Sequence, residues 1–500
     1  MRKLKSIISL SLALLLSMSC VFAGVEWNGE GDINVYGIVE EKNADHATPK
    51  NIILLIGDGL GFSQRQITEY YNMNVNGSKD KLVMNQLPEG GINSTHAANT
   101  LIVDSAAAGT ALASGVKTNN GVVGKDADLK DVKTLVELAE EAGQATGLVT
   151  TTRLTHATPA AFASHNESRG NENEIAYDYL DSGVDFFAGG GLRHFLPQDF
   201  PKDTVDYTGN TIKSKRKDDT NLVTEFEKIG YTTFTGNDGA DAFKNAKFEE
   251  GDKVFAAFTY THLPYEIDRV NSYPELPSIA EMTSQAIDLL SQDEDGFFLM
   301  VEGGRIDHAA HANDLAGVIN DTLAFDAAVK EAYDFYMANP KDTLVIVVGD
   351  HETGGLGLGM DAQGYFVDVE SVKDVTASIE DQLMYGNDLS YTGDKEDFLS
   401  KLADNYDLKE LSASESMKLD IAMKSEDKGQ TAGYYGVSPV ALTVSHILST
   451  RANVHWTTTI HTGAAIPFTA IGNGADAFNG YIDNTDIAKT LADLMGVSFE

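Results

Sequence analysis

The sequence predicts an α/β fold: a mostly parallel central sheet sandwiched between helices. Three observations lead there. Short, continuously apolar runs recur along the chain, helical patterns separate them, and acidic or histidine residues follow several of the runs. A run with no polar face reads as a strand buried on both sides, the habit of parallel sheets. Strand and helix in alternation place helices on both faces of such a sheet.

At the start of the chain, Arg2, Lys3 and Lys5 precede an apolar or small run over 7–18, and Val21-Phe22-Ala23 offers a cleavage site. This order predicts a signal peptide over 1–23 and an exported protein, periplasmic or secreted. The run is too short to span a bilayer and no later run is long enough, so no transmembrane anchor is expected. Cys20 is the only cysteine. It would also suit a lipid anchor, although Ser17 stands where such signals place Leu. With Cys20 inside the signal, the mature chain has no thiol to form a disulfide.

Residues 24–500 read as one domain. NIILLI at 51–56 runs into Gly57-Asp58-Gly59, a buried strand ending in a tight turn. Further strands are expected at 146–150, 185–188, 254–258, 297–301, 343–348 and 468–471, and helices at 132–141, 279–290, 315–337 and 486–495. Two stretches break the pattern. Residues 195–246 are polar and rich in Lys and Asp, and residues 360–437 are acidic and irregular. Both read as insertions on the main fold.

The formal net charge is -38, from 37 basic and 75 acidic side chains. Such acidity excludes nucleic acid and anionic lipid as partners. An anionic substrate would need local positive charge, which bound metal ions supply.

The chemistry gathers at strand ends, where ligands of such sheets collect. Asp58 follows the first strand, Glu302 and Asp307 the 297–301 strand, and Asp350 and His351 the 343–348 strand. Carboxylates that converge repel one another unless cations separate them. In EGGRIDHAAH (302–311), Asp307 and His311 stand four apart, on one face of a helical turn. Imidazole with carboxylate favours zinc or a similar ion. Taken alone, the pair also suits a solvated helix face, Asp350 also suits a cap, and His461, in HTG before the last strand, is weak. Ser105 opens a small-residue helix, DSAAAGT, whose N-terminus favours an alkoxide or a phosphate. Asp104 or Ser105 would equally serve as its cap. No G-x-S-x-G elbow is present, and metal activation would ionise the serine without a histidine base. Arg169, beyond His156 in HATPAA, is either a surface cation or a planar fork for two phosphate oxygens.

Together these segments resemble the alkaline phosphatase family. The match runs through GDG (57–59), DSAAAGTA (104–111), THATPAAF (155–162), VEGGRIDHAAH (301–311), GDHETGG (349–355) and HTG (461–463), in family order. The resemblance implies two zinc ions and one magnesium ion. Asp307, His311 and His461 would bind the first zinc; Asp58, Asp350 and His351 the second, joined by Ser105; Asp58, Thr158 and Glu302 the magnesium. Arg169 would clamp the phosphoryl group. His156 and His308, as in animal-type and some marine bacterial members, would contact phosphate or the magnesium site. It further implies a crown-like inserted region near 360–437, a homodimer, small phosphomonoester substrates, a phosphoserine intermediate and an alkaline optimum. A phosphodiesterase or sulfatase of the same superfamily is the second reading, and a phosphate-binding protein without catalysis the third.

Overall fold

Residues 51–57, NIILLIG, lie at the middle of the molecule because almost no side chain in the run gains by facing water. The computed structural model describes residues 48–499, apart from 202, 361–362 and 385–386. The expected signal segment, with Cys20, lies outside the described residues. The strands in chain order are β1 (Asn51–Gly57), β2 (Glu89–Ser94), β3 (Ala145–Arg153), β4 (Phe186–Gly190), β5 (Tyr231–Thr235), β6 (Lys253–Ala257), β7 (Phe297–Gly303), β8 (Thr343–Gly349), β9 (Glu352–Thr353), β10 (Leu356–Leu358), β11 (Val454–Trp456), β12 (His461–Thr462), β13 (Ile466–Gly472) and β14 (Gly480–Asp483). Ten of them form one sheet in the order β14-β2-β13-β8-β1-β7-β3-β4-β6-β5. Only β13 runs against its neighbours, β8 and β2. The sheet is mostly parallel, as expected.

Side chains of β1 alternate between the two faces. Ile52, Leu54 and Ile56 join the core under the helices Ser105–Ser114, Leu135–Glu141, Ala157–Ala163 and Asn484–Met495. Ile53 and Leu55 join the core under Ile279–Leu290 and Leu315–Ala338. Each is fully buried, which stabilises the fold by about 1.5–3 kcal/mol per side chain.

Register decides where the chemistry goes. β1 pairs with β7 and β8 from Asn51↔Phe297 and Asn51↔Thr343 through to Gly57↔Gly303 and Gly57↔Gly349. Three strands therefore end level, and the loops after them start side by side. A separate ribbon, β12 on β9, sets His461 opposite Thr353.

Some elements differ from expectation. The helix expected from 132 begins at Leu135, because Thr134 and Glu137 form a capping box that fixes its first turn. Within 195–246, β5 pairs with β6 as an edge strand of the main sheet. Within 360–437, Val369, Ile379, Phe398 and Leu419 share a third core with Ala309, Leu315 and Val444.

Candidate active site

Asp58 leaves the end of β1 and is fully buried. Both its carboxylate oxygens lack a hydrogen-bond partner among the described residues. The chain turns at Gly59, φ 70°, where an added Cβ would lie 2.8 Å from Asp307 Cα. No side chain fits there, and the strained φ also favours glycine. The Gly59 N–H donates to Asp350 Oδ1 at 3.0 Å, tying the first strand end to the third.

After β8, Asp350 Oδ2 lies 3.1 Å from His351 Nε2, and Asp58 Oδ1 lies 3.5 Å from the same nitrogen. After β7, Asp307 and His311 share a face of the Arg305–His311 helix, with Asp307 Oδ2 3.2 Å from His311 Nε2. His461 Nε2 lies 3.5 Å from Asp307 Oδ1. His311 Nδ1 donates to the Thr459 carbonyl and His461 Nδ1 to the Val103 carbonyl, both at 2.7 Å. Each Nε2 is thereby left with a lone pair, and the two face one another at 3.1 Å. A positive charge between them, a proton or a metal ion, relieves the contact, and backbone-fixed imidazoles are the usual way to orient metal ligands. Thr353 Oγ1 donates to Asp307 Oδ1 at 2.5 Å.

A further set surrounds Glu302. Register places Thr150 of β3 opposite it, and Thr150 and Thr152 donate to Oε2. Glu302 Oε1 and the Thr158 hydroxyl are buried without a partner among the described residues. Three groups bring ligand atoms within 4.8 Å of one another: Asp58 with Asp350 and His351; Asp307 with His351 and His461; Asp58 with His156 and Glu302. His351 is shared by two of them, its ring stacked on that of His461 at 3.6 Å.

Charge argues the same way. Burial, then Asp350 and the other nearby carboxylates, hold Asp58 well above the usual carboxylate range. Burial and then Asp307 do the same to Asp350, and burial raises Glu302. Asp307 is held low: burial opposes ionisation there, but His311, His461 and His351 outweigh it. Four buried carboxylates around unpaired oxygens fit divalent cations and little else.

Ser105 is the first residue of the Ser105–Ser114 helix, all of whose residues are buried. Asp104 is the cap, accepting from the Ala107 N–H at 3.0 Å, so the serine is free of that duty. Its Oγ lies 3.4 Å from His351 Nε2. The other Asp104 oxygen accepts from the Gly121 N–H at 3.0 Å and from Arg169 Nη1 at 3.1 Å. Arg169 is thus tethered beside the serine, and its Nη2 donates to His156 Nε2 at 3.1 Å.

The alkaline phosphatase family model matches residues 49–497. This chain belongs to the alkaline phosphatase family. It is 35% identical over 465 residues to alkaline phosphatase 3 of Bacillus subtilis, covering 90% of each chain, and 33% identical over 338 residues to the Escherichia coli alkaline phosphatase, covering 60% of this chain and 70% of that one. Among solved structures, the cold-active alkaline phosphatase of Shewanella sp. superposes with a TM-score of 0.73 at 30% identity, over 89% of this chain and 99% of that one. The Thermus thermophilus alkaline phosphatase gives 0.75 at 28%, over 90% and 92%. The chain is an alkaline phosphatase-family hydrolase of phosphate monoesters, and the family is metal-dependent.

Every residue expected to act on substrate or bind metal lies in this region. His308 belongs to a trio of edge-to-face rings with His156 and His262, centroids 4.5–5.4 Å apart. Sequence reasoning missed His262, which follows β6 in THLP and so carried the same strand-end signal. It also missed Arg305, whose Nη1 donates to His308 Nδ1 at 2.9 Å, and the tether from Asp104 to Arg169. Neither tether leaves a mark in the sequence.

Proposed function

We propose that hydrolysis runs through Ser105 as nucleophile and a phosphoserine intermediate. The observation that carries this reading is the Ser105 hydroxyl: buried, relieved of capping by Asp104, at a helix N-terminus and 3.4 Å from His351 Nε2. Asp307, His311 and His461 would hold one zinc ion, Asp58, Asp350 and His351 a second, and Asp58, Thr158 and Glu302 a magnesium ion. Bound there, such cations lower the pKa of a hydroxyl or water and offset charge on the reacting oxygens.

The chain's own residues do the rest. Ser105 Oγ releases its proton to solvent and bonds to phosphorus as the ester P–O bond breaks, and the alkoxide leaves on the side opposite Oγ and takes a proton back from solvent to become the alcohol. Water then cleaves the phosphoserine to release phosphate. Arg169 binds two phosphoryl oxygens with its fork, held at the right angle by Asp104. The helix N-terminus favours the charge on the others. His308 Nδ1 accepts from Arg305, so its Nε2 carries the proton and donates toward a phosphoryl oxygen. His156 lies against the Asp58–Glu302 group; its Nε2 accepts from Arg169, so Nδ1 carries the proton and would contact the magnesium site through water. A His-to-Asp mutant of the TAB5 alkaline phosphatase is described with magnesium in its M3 site. Metal analysis of the purified protein tests the two-zinc, one-magnesium count.

The same reading includes export after removal of 1–23, one domain over 24–500 with insertions near 195–246 and 360–437, an alkaline optimum and a homodimer. Phe62, Tyr70 and Met73 are exposed on the helix Phe62–Asn74 and supply an apolar face for a second copy. Among the described residues no helix is long and apolar enough to cross a membrane.

The decisive experiment is p-nitrophenyl phosphate hydrolysis before and after chelation, with metals restored, in the wild type and Ser105→Ala. Turnover that needs metal and Ser105, with acid-stable label on Ser105 from labelled phosphate, supports the reading. Full turnover in Ser105→Ala overturns it.

A further inference from the structure

In-line displacement fixes where the two halves of a substrate lie. With the phosphoryl group against Ser105 and Arg169, the alcohol must leave on the far side of phosphorus from Oγ. Ser105 Oγ touches His351. Beyond His351 the rings continue in order, His461 stacked on His351 and His311 next to His461, so an alcohol that leaves away from Oγ emerges toward those two rings.

An aromatic pair stands there. Tyr435 meets His311 edge to face, ring centroids 4.9 Å apart. Tyr434 braces Tyr435 at 5.1 Å, also edge to face. Both are largely exposed, 58% and 77% of their surface. Their loop is closed by the Ala432↔Val437 bridge and pinned by the Tyr434 N–H to Thr459 Oγ1, 3.4 Å. Thr459 is the residue whose carbonyl orients His311, so loop and imidazole are hung from one point. Burial, then the charge of Asp307, raises the pKa of the Tyr435 phenol. Beside His461, Leu101 and Ile102 are exposed too, just before Val103, whose carbonyl holds that histidine.

We infer that Tyr435, braced by Tyr434, is a specificity-determining residue: it stacks on the alcohol half of the substrate and makes the enzyme select aryl and other planar phosphomonoesters over small aliphatic ones. The inference rests on the Ser105–Arg169 reading, which sets the direction of departure. Ring–ring contacts are worth about a three- to ten-fold change in affinity, and they act on capture of the ester, before the common phosphoserine forms.

The test compares kcat/KM for phenyl phosphate and glycerol 2-phosphate in the metal-loaded wild type, Tyr435→Ala and Tyr435→Phe. Dividing each variant's aryl-to-alkyl ratio by that of the wild type cancels the difference in leaving-group chemistry. Tyr435→Ala is expected to lower the ratio about three- to ten-fold, and Tyr435→Phe, which keeps the ring, to lower it less than two-fold. Calorimetric titration gives a readout apart from turnover: Tyr435→Ala should lose more affinity for phenylphosphonate than for inorganic phosphate. A ratio within two-fold of wild type in Tyr435→Ala, or equal losses for both ligands, overturns the inference. Ser105→Ala in parallel separates this outcome from failure of the serine reading, since that variant tests the nucleophile whatever the ratio.

Discussion

Asp104 carries two loads that can be separated by substitution. One carboxylate oxygen caps the Ser105–Ser114 helix through the Ala107 N–H, and the other holds the Gly121 N–H and Arg169. Serine is as good a cap as aspartate, but it is too short and too neutral to hold the arginine. Asp104→Ser should therefore keep the helix and release Arg169. A hydrogen bond to a charged group is worth about 1.5–3 kcal/mol. The pair is 28% and 22% exposed, and solvent screening trims this toward about 1–1.5 kcal/mol. That is about a five- to ten-fold loss of phosphate affinity. Asp104→Ala should show the same loss and, in addition, about 1 kcal/mol of lost stability from the missing cap. Calorimetric titration of the metal-loaded protein with inorganic phosphate reads the first quantity, and thermal unfolding the second. If Asp104→Ser binds phosphate within two-fold of wild type, the tether does not pre-organise the clamp and the reasoning fails.

Stripping the cations should make stability depend on pH in a set direction. Asp58, Asp350 and Glu302 are raised by burial and by neighbouring carboxylates, Asp307 common to all three, so the stripped folded chain holds their protons more tightly than the unfolded chain. Their contribution is present at low pH and lost as pH rises above the ordinary carboxylate range; Asp307, held low, opposes with one group against three. The melting-temperature gap between loaded and chelated protein should widen from about pH 5 to about pH 8, and a constant gap would contradict this. Asp268 offers a test away from the site. Burial, then Asp381, pushes it up to about 7, and it accepts from the Ser378 N–H and hydroxyl. The folded chain keeps this proton up to about pH 7 while the unfolded chain loses it near 4, so the stability it contributes falls over that window by about 1.4 kcal/mol per unit at most. Asp268→Asn should flatten that part of the stability profile in calorimetry, and an unchanged slope would count against it. Tyr70→Arg should yield monomers by light scattering, and an unaltered mass would remove the Phe62–Asn74 helix from the interface.

The strands that could be read from the sequence were those whose burial left a trace. β1, β7 and β8 are buried at nearly every position, and their apolar runs ended within two residues of the observed bounds. β2, GGINS after Glu89, and β14, GYID, lie toward the sheet edge. Half-exposed and glycine-rich, they carry too little hydrophobic pattern to stand out. β5, YTTFT, is the other edge, hidden in a polar stretch. The site followed the same rule. Residues at strand ends were legible because topology alone brings such ends together. Thr353 and the Asp104 tether were not, since each acts through a contact tens of residues away, and Arg305, though only three residues from His308, reads as an ordinary helix cation.

The level ends of β1, β7 and β8 also govern how the molecule comes into being. β1 is made first of the sheet strands, yet its partners β7 and β8 follow about 250 and 290 residues later. The middle of the sheet therefore cannot close until most of the chain exists, and His461 completes the site only after that. Loops of this length make closure slow. A nascent chain would expose the bare NIILLI segment throughout synthesis, a target for chaperones that keep it extended. A chain cut short before β12 would lack β13 and β14 of the sheet and the His461 that completes the Asp307–His351 group.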